Sequence, residues 1–567
     1  MATAGMPLAA ILALALAGGA AAGADEPVRI GRIDIEVVEV FDLSKPGEDR
    51  WFHRAVNSLH IASRDSVIRR ELLFREGDVL NADLLAESER NLRALPFLRA
   101  AEVTAGEPAG GVADVRVRVQ DSWTTRASVR IKRAGGHTSA AFSAREENLA
   151  GLGKQLGFRY ESDQDRSRGT FSYDDRRLLG RPLWLQLAHQ VSSDGEGDLI
   201  SIQKPFYSYG SRSSEGASFS RNLQRNSIYS SGEKIASFDN SVRMSKIFLA
   251  FSRGLENGVA SRFMFGWQYN ASRFYEGVIE EAANDEGAWL TGGDVVEEGR
   301  CYVRSPDEVN SKNPRPCPPA LVPLSRKTSS PLFGYRRERS GWIKAFNLVR
   351  MDRPEDFNLG AVFELQAGVN AHAFGGEADE LLLVIGGSRG FRIGAHGLLL
   401  TRQGFDARFG SGDAAAKLLS FESTYYNTRF RGQTLVGHLR ADAGMHLDLA
   451  NQLLLGGDEG LRGFNTRVLD GDRRFIATFE DRLWTRREVL HLFYIGGAAF
   501  MDVGNAWGWE DDNAFGTLYS DAGIGLRLDA SRAAHGGMFR LDIAFPLSGD
   551  RRGGPAVQFS FSHGSGY

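Results

Sequence analysis

The sequence predicts a mainly β protein, a small α/β domain followed by an antiparallel transmembrane β-barrel. Three observations carry this reading. Short runs of alternating apolar and polar residues recur over most of the chain, the period of a strand with two different faces. Beyond the N-terminus no run approaches the ~20 apolar residues of a membrane helix. The N-terminus itself reads as an export signal, so the alternating runs are destined for a place outside the cytoplasm.

The export signal comes first in the chain. "MATAGMPLAAILALALAGGAAAGADEP" has a short apolar centre, Pro7 to Leu16, and a small-residue tail in which Ala22-Gly23-Ala24 fits a cleavage site before Asp25. Residues 1–24 are therefore expected to be a signal peptide, although its first segment carries no Lys or Arg beyond the terminal amine. No cysteine follows the apolar stretch, which argues against lipid anchoring there. With 567 residues the chain exceeds one ordinary soluble domain, and 66 glycines with 10% aromatic residues favour turns and strands over helices. Mean hydropathy is −0.28, and a net charge of −3 gives no reason to expect a nucleic-acid partner.

Residues 25–120 read as the small α/β domain. Ile33, Ile35 and Val37 alternate with Asp34 and Glu36, a half-buried strand. In "SRDSVIRRELLF", Asp65 can cap a helix that buries Ile68 and Leu72. A turn at Gly77-Asp78 follows, and Asn81 caps a second helix with Leu84, Ser88, Leu92 and Leu95 on one face, stopped by Pro96. A hairpin closes the domain, with Val115, Val117 and Val119 alternating against Asp114, Arg116 and Arg118. The expected order is strand, helix, helix, strand, strand, with no catalytic constellation.

From residue 121 to 567 helical periodicity gives way to short alternating runs. Leu156, Phe158 and Tyr160 alternate with Gly157, Arg159 and Glu161; Leu183, Leu185 and Leu187 with Trp184, Gln186 and Ala188; Phe539, Leu541, Ile543 and Phe545 with Arg540, Asp542 and Ala544. A soluble sandwich alternates too, with its apolar face buried, so periodicity alone leaves inside and outside open. Size and export favour the barrel. About 445 residues without a linker suit one many-stranded barrel at roughly 9–11 membrane residues per strand. A sandwich of that length would split into several domains. Residues 275–331, with seven prolines and an acidic run, read as a large surface loop. Within it Cys301 and Cys317 are the two cysteines of the chain, and in an exported protein they read as one loop-closing disulfide. No suitably spaced His joins them, and no metal is expected.

Two stretches carry a family resemblance. "GGDEGLRGF" resembles a loop signature of the BamA/TamA-like superfamily of outer-membrane assembly and translocation barrels, the bacterial surface antigen family. Downstream, "AAFMDVGNAW" resembles its second signature, Phe-x-Asp-x-Gly, on Phe500, Asp502 and Gly504. "REENLAGLGKQLGFRY" and "YDDRRLLGRPLWLQL" resemble the family's first barrel hairpins, and "SRDSVIRRELLFREGDVLNADLLAESERNLRALPFL" its periplasmic POTRA module. The resemblance implies a 16-stranded barrel preceded by one POTRA domain of βααββ order. It implies that the loop motif Leu461, Arg462, Gly463 and Phe464 folds back into the lumen, with Arg462 contacting Asp502 and Glu480 as a second partner. Alternation is consistent with this. If Asp502 points inward, so do Phe500 and Gly504, while Ala499, Met501 and Val503 face lipid. Asp481 would then face outward, a poor fit unless the strand is leaving the membrane there. In a wet lumen an exposed Arg–carboxylate pair is worth ~1 kcal/mol, and more when the loop shields a bidentate fork.

The chain departs from the family pattern in three places. There is room for one POTRA module only, "VFDLSKPGEDRWFHRAV" lengthens the link after the first strand, and eight residues follow the terminal-strand signal carried by Gly554, Val557 and Phe559. The resemblance implies an outer-membrane protein of a Gram-negative bacterium, its POTRA domain in the periplasm, that inserts or translocates client polypeptides without a cofactor. Partners would be those clients, the lipid bilayer, and periplasmic chaperones or accessory proteins met through the POTRA domain. Two rival classes stand beside it, a pore or export channel for small solutes or lipid, and a hydrolase centred on Ser388 in "GGSRG", where the nucleophile-elbow spacing requires a helix immediately after the serine. "GLGK" at Lys154 lacks the spacing of a phosphate loop.

The cysteine pair generates a first test. Cys301 and Cys317 are expected to be oxidised to one another, a closure worth roughly 3 kcal/mol in the chain-entropy description. Labelling of both thiols in purified, non-reduced protein is the contrary result.

Overall fold

The computed structural model describes residues 27–44, 49–134, 137–163, 165–230, 232–279, 294–297, 300–303, 315–316, 325–410, 416–448, 451–489, 492–508, 517–532, 538–548 and 556–562. The expected signal peptide, Cys317, Gly554 and most of the loop at 275–331 lie outside them, and so does the disulfide between Cys301 and Cys317.

The N-terminal domain is a three-stranded sheet covered by helices. Strand β1 (Arg29–Val38) pairs in parallel with β3 (Val112–Asp121), which pairs antiparallel with β2 (Leu98–Ala105), giving the order β1-β3-β2. The alternating valines of β3 face the helices and are buried with Ile33, Ile68, Leu92 and Phe97 in one apolar core. Each such side chain contributes ~1.5–3 kcal/mol on leaving water. Helix α3 (Ala82–Arg93) starts where Asn81 caps it, the side chain accepting from the Asp83 and Leu84 amides at 2.9 and 3.2 Å. Two details differ from the sequence expectation. Helix α2 (Asp65–Arg69) is short, and Asp65 is its first helical residue rather than its cap, so its carboxylate acts on the positive end of the helix. The lengthened link holds a further helix, α1 (Trp51–Leu59), which buries His53 against Phe41, so the order is βαααββ.

The rest of the chain forms a ring of antiparallel strands in sequence order. Its first part is β4 (Thr125–Ala134), β5 (His137–Glu146), β6 (Lys154–Ser162), β7 (Ser167–Asp175), β8 (Trp184–Ser192), β9 (Gly195–Lys204), β10 (Ser213–Ser230), β11 (Glu233–Glu256) and β12 (Val259–Ile279). Short segments β13 (Asp294–Glu297), β14 (Arg300–Val303) and β15 (Arg315–Pro316) fall within the long connection that follows. Next come β16 (Arg326–Arg339), a separate hairpin of β17 (Trp342–Phe346) and β18 (Pro354–Asn358), then β19 (Val362–Asn370), β20 (Glu380–Ile393), β21 (Gly397–Gly410), β22 (Lys417–Asn427) and β23 (Gln433–Met445). A second small pair, β24 (Leu453–Leu455) and β25 (Leu469–Gly471), sits in the loop before β26 (Arg473–Val489), β27 (Phe493–Trp507), β28 (Tyr519–Ala530), β29 (Met538–Ser548) and β30 (Ala556–Ser562). β30 lies beside β4. Val557 and Phe559 stand in β30 opposite Ile543 and Leu541, and the strand continues past them to Ser562.

Among the described residues the ring holds twenty strands of seven residues or more, which corrects the expected sixteen. Sixteen came from the resemblance, whereas ~445 residues at about 22 per strand and connection accommodate twenty. Ser388 stands mid-strand in β20 opposite Val362 and Arg402, with strand continuing on both sides, so the strand-to-helix turn of a nucleophile elbow is not there.

The ring is inside out. On β26, β27 and β28, Phe479, Met501 and Ile524 are 61%, 41% and 64% exposed, while Glu480, Asp502 and Arg527 of the alternate face are at most 3% exposed. Phe171, Ile200, Leu249, Phe265 and Leu419 add exposed apolar side chains around the circumference. An apolar outer face over a polar interior is what a bilayer requires of a barrel. No helix among the described residues is long and apolar enough to cross a membrane. Because the strands alternate up and down, the hairpin β17–β18 lies at the end where the N-terminal domain joins. The long connection after β12 leaves from the opposite end.

Candidate functional site: the lumen loop and its charged wall

The loop between β23 and β26 enters the ring and presents Arg462 to the inner wall. Leu461 and Phe464 are fully buried, packed with Leu455, Val468, Ile476 and Ala506, and Phe464 meets Tyr519 edge-on with ring centroids 5.6 Å apart. These apolar anchors flank the arginine and set its depth. Gly463 is required by close approach, since a Cβ there would come within 2.7 Å of the Asp521 side chain and 3.0 Å of the Pro546 nitrogen. The same holds for Gly504 on the wall, where a Cβ would meet the Phe475 carbonyl oxygen at 2.6 Å.

Arg462 holds Asp502 with a two-pronged fork, Nε to Oδ2 at 2.7 Å and Nη2 to Oδ1 at 3.0 Å. Its Nη1 reaches Asp542 at 3.2 Å and Glu480 at 3.5 Å, and the guanidinium lies 3.3 Å from the Phe500 ring centroid. The Gly463 amide donates to Asp521 at 3.0 Å, and Thr478 donates to Asp502 at 2.8 Å. Register puts Glu480 opposite Phe500 and Asp502 opposite Asp521 and Thr478, so strands β26, β27 and β28 each contribute to one wall. Arg527 bonds Asp542 and approaches Glu480, and Arg482 donates to Glu480 at 2.9 Å. Asp521, Arg527 and Asp542 were not singled out from sequence as partners of Arg462. Their signal was the charged residues Asp521, Arg527 and Asp529 on one face of β28, separated by Gly523 and Gly525, and Asp542 within the alternation of β29.

This wall is buried, not wet. Asp502 and Glu480 side chains are at most 2% exposed and that of Arg462 14%. Removing one partner of a buried charge pair leaves the other uncompensated, at roughly 3–5 kcal/mol, against ~0–1 kcal/mol for an exposed pair. At its outer end the loop is tied to the tips of β6, β7 and β10. Arg467 pairs with Asp165 at 2.9 Å and lies over Tyr229, and Gln452 exchanges two bonds with the Tyr229 backbone. Asp481 faces outward beside Leu435 and Ala499, as alternation requires.

A second element reaches the same wall from the opposite end. Arg482 Nη1 donates to the Leu348 carbonyl at 2.8 Å, in the turn of hairpin β17–β18. Arg350 forks onto Asp529 of β28 at 2.7 and 3.0 Å, and the Met351 amide donates to the same carboxylate. Leu348 and Val349 pack on Leu398, Tyr426 and Val436 of the wall. Both strands of the hairpin hold the N-terminal domain. Asp356 takes both prongs of Arg93 at 2.8 Å, Lys344 reaches Glu89 at 2.6 Å, and Trp342 donates to Tyr209 and lies under Arg90. The α3 helix further binds the connection between β9 and β10, with Glu87 accepting from the Tyr209 amide at 2.7 Å. A continuous chain of contacts therefore runs from Arg462 through Glu480, Arg482 and the hairpin to α3.

Two tests follow from this geometry. Arg462→Ala is expected to leave a heat-modifiable barrel with a loosened loop, Arg462→Asp to be worse, and Arg462→Asp with Asp502→Arg to recover only part of the loss, because Glu480 and Asp542 also lean on residue 462. A double variant no better than the worse single one rules out direct pairing as the dominant contact. The second test concerns Glu355, which accepts from the Leu348, Val349 and Arg350 amides inside the hairpin. Burial pushes its carboxyl up from the usual 4.5 to about 7. The docked hairpin thus holds a proton that the released one loses between those values. Docking is fully stabilised below pH 4.5 and weakens as pH rises through 7. Hydrogen exchange at the amides of Leu348 to Arg350, corrected for intrinsic rates, should be slower at pH 5 than at pH 7.5, and Glu355→Gln should abolish the difference.

Comparison with known proteins places part of this chain in a family. Solved structures similar to it include BamA from Haemophilus ducreyi lacking POTRA domains 1–3, at 13% identity over 94% of this chain and 84% of that one, with a TM-score of 0.36. CdiB from Acinetobacter baumannii is 12% identical over 94% and 73%, with a TM-score of 0.40, and CdiB from Escherichia coli 13% over 93% and 75%, with 0.42. None superposes closely enough to transfer a residue or a role. No curated protein matches the chain. The Omp85 superfamily domain matches residues 399–567, the stretch that contains the inserted loop, its arginine and the carboxylate wall.

Proposed function

We propose that this chain is an outer-membrane protein of a Gram-negative bacterium that assists the insertion or translocation of client polypeptides, working by binding rather than by catalysis. The observation that carries the reading is the union of an inside-out strand ring with a small α/β domain at one mouth, in a chain holding an Omp85 superfamily domain. In this reading residues 25–120 are a single POTRA-type module on the periplasmic side, and residues 1–24 the signal peptide that takes the chain there. The edge strands β1 and β2 of its sheet and the meeting of β4 with β30 offer backbone donors and acceptors to an extended client. Arg462 and its partners on Glu480, Asp502, Asp521 and Asp542 hold the inserted loop in place while clients pass. The loop-to-helix chain of contacts lets occupancy of the POTRA-type module bear on the lumen.

Depletion of the protein in its host, followed by quantification of other outer-membrane and exported proteins, tests the proposal. Loss of specific clients from the membrane or medium is the expected result. A change in permeability to small solutes, with every client at its normal level, indicates a pore instead.

A further inference from the structure

We infer that the lumen wall formed by β10, β11, β12 and β16 is a sliding surface for an extended, weakly charged polypeptide. This deepens the function proposed above and rests on it. In strand order these strands stand half a ring away from the wall gripped by Arg462.

Register identifies the inward residues. Phe219, Ile247 and Phe265 are exposed on the outer face, so the residues between them along each strand point inward. One inward row runs Ser218, Lys246, Gln268, Ser330, and the next Ser220, Met244, Asn270, Thr328. A third runs Gly216, Phe248, Gly266, Leu332. Exposure then separates the two halves of the lumen. Met244 is 49% exposed although it faces inward, as is Val384 of β20 at 42%. An inward side chain reaches solvent only where the lumen is open. The wall under the loop is filled; this one is open along β11 and β12, at Met244 and Asn270, while Thr328, Ser330 and Leu332 at its β16 border are buried.

Its chemistry also differs. Among the described inward residues of β8 to β12 and of β16, β19 and β20, Lys246 is the one charged side chain between the two rims. The rims are marked by Arg262, Arg336 and Glu364 at one end and Arg326 and Glu380 at the other. What remains are hydroxyls, amides, glycines and adaptable apolar groups. Passage requires contacts favourable enough to admit a chain yet weak and repeated enough to release it. Serine, glutamine and asparagine side chains answer peptide N–H and C=O groups of any sequence. Methionine and phenylalanine accommodate varied side chains. A pore selecting ions or charged solutes would instead carry rings of fixed charge on this wall.

The test uses the full-length protein in lipid vesicles, with Cys301→Ser and Cys317→Ser and a single new cysteine in each variant. Met244→Cys and Asn270→Cys report the open wall, and Thr478→Cys the covered one. Heat-modifiability confirms that each variant is folded. A membrane-impermeant maleimide should label positions 244 and 270 and spare 478. A neutral peptide of ~20 residues rich in Ser, Asn, Gln and Leu, long enough to cross a ~30 Å core in extended form, should slow that labelling severalfold. Lys-rich and Glu-rich peptides of equal length, and dextran, should not. Absence of labelling at 244 and 270 overturns the inference, because the wall is then closed. Equal protection by dextran, or stronger protection by charged peptides, overturns it in favour of another cargo. If depletion removes clients in the host but the neutral peptide leaves 244 and 270 unprotected, the inference fails alone and clients travel by the β4–β30 seam. If depletion spares every client, the proposed function fails and this inference falls with it.

Discussion

Four carboxylates, Glu480, Asp502, Asp521 and Asp542, converge on one inner wall of the barrel almost without access to water. Charges so placed are tolerable only when neutralised and hydrogen-bonded. Arg482 and Arg527 from the strands answer part of this need, and Arg462 supplies what they cannot. The arginine must come from a loop that folds inward, which in turn needs apolar anchors at Leu461 and Phe464 and a residue without a side chain at Gly463. Much of the lumen architecture follows from that single electrostatic requirement.

The same wall joins the two ends of the barrel. Glu480 is touched by the inserted loop from one side and by Arg482 from the other, and Arg482 also binds the hairpin that clasps the N-terminal domain. Packed polar networks of this kind have few alternative arrangements, because each lost bond strands a buried charge. A displacement of α3 that pulled on Asp356 through Arg93 would be felt at Arg482 and then at the loop. The hairpin thus makes the α/β domain part of the closure at its end of the barrel.

Filling half of the lumen with a charged loop has a counterpart in the neutral half. Where the loop packs, charge and close approach serve rigidity. Where it does not, the wall carries small hydroxyls, amides and methionine, groups that bind weakly and in many registers. The outer face is indifferent to this division. It presents apolar side chains all the way round, since lipid contacts both halves alike.

How much of this was legible in the sequence depends on the range of the interaction. Period-two alternation identified the strands, the Asn81 cap and valine repeat identified the small domain, and alternation around Asp502 placed Phe500 and Gly504 on its side and Met501 on the other. Pairing of Arg462 with Asp502 was readable through two signatures that resemble a family. The sequence determined these because they depend on neighbouring residues or on a motif. The number of strands was not determined, since weak turn signals do not count hairpins, and twenty replaced sixteen. Helix α1, the hairpin at 342–358 and its grip on Arg93 were equally invisible, because a salt bridge across 263 positions leaves no local trace. Whether the apolar face looked out or in could not be decided by periodicity at all. Only closure of the ring, which sends one face of every strand to solvent and the other to the lumen, settled it.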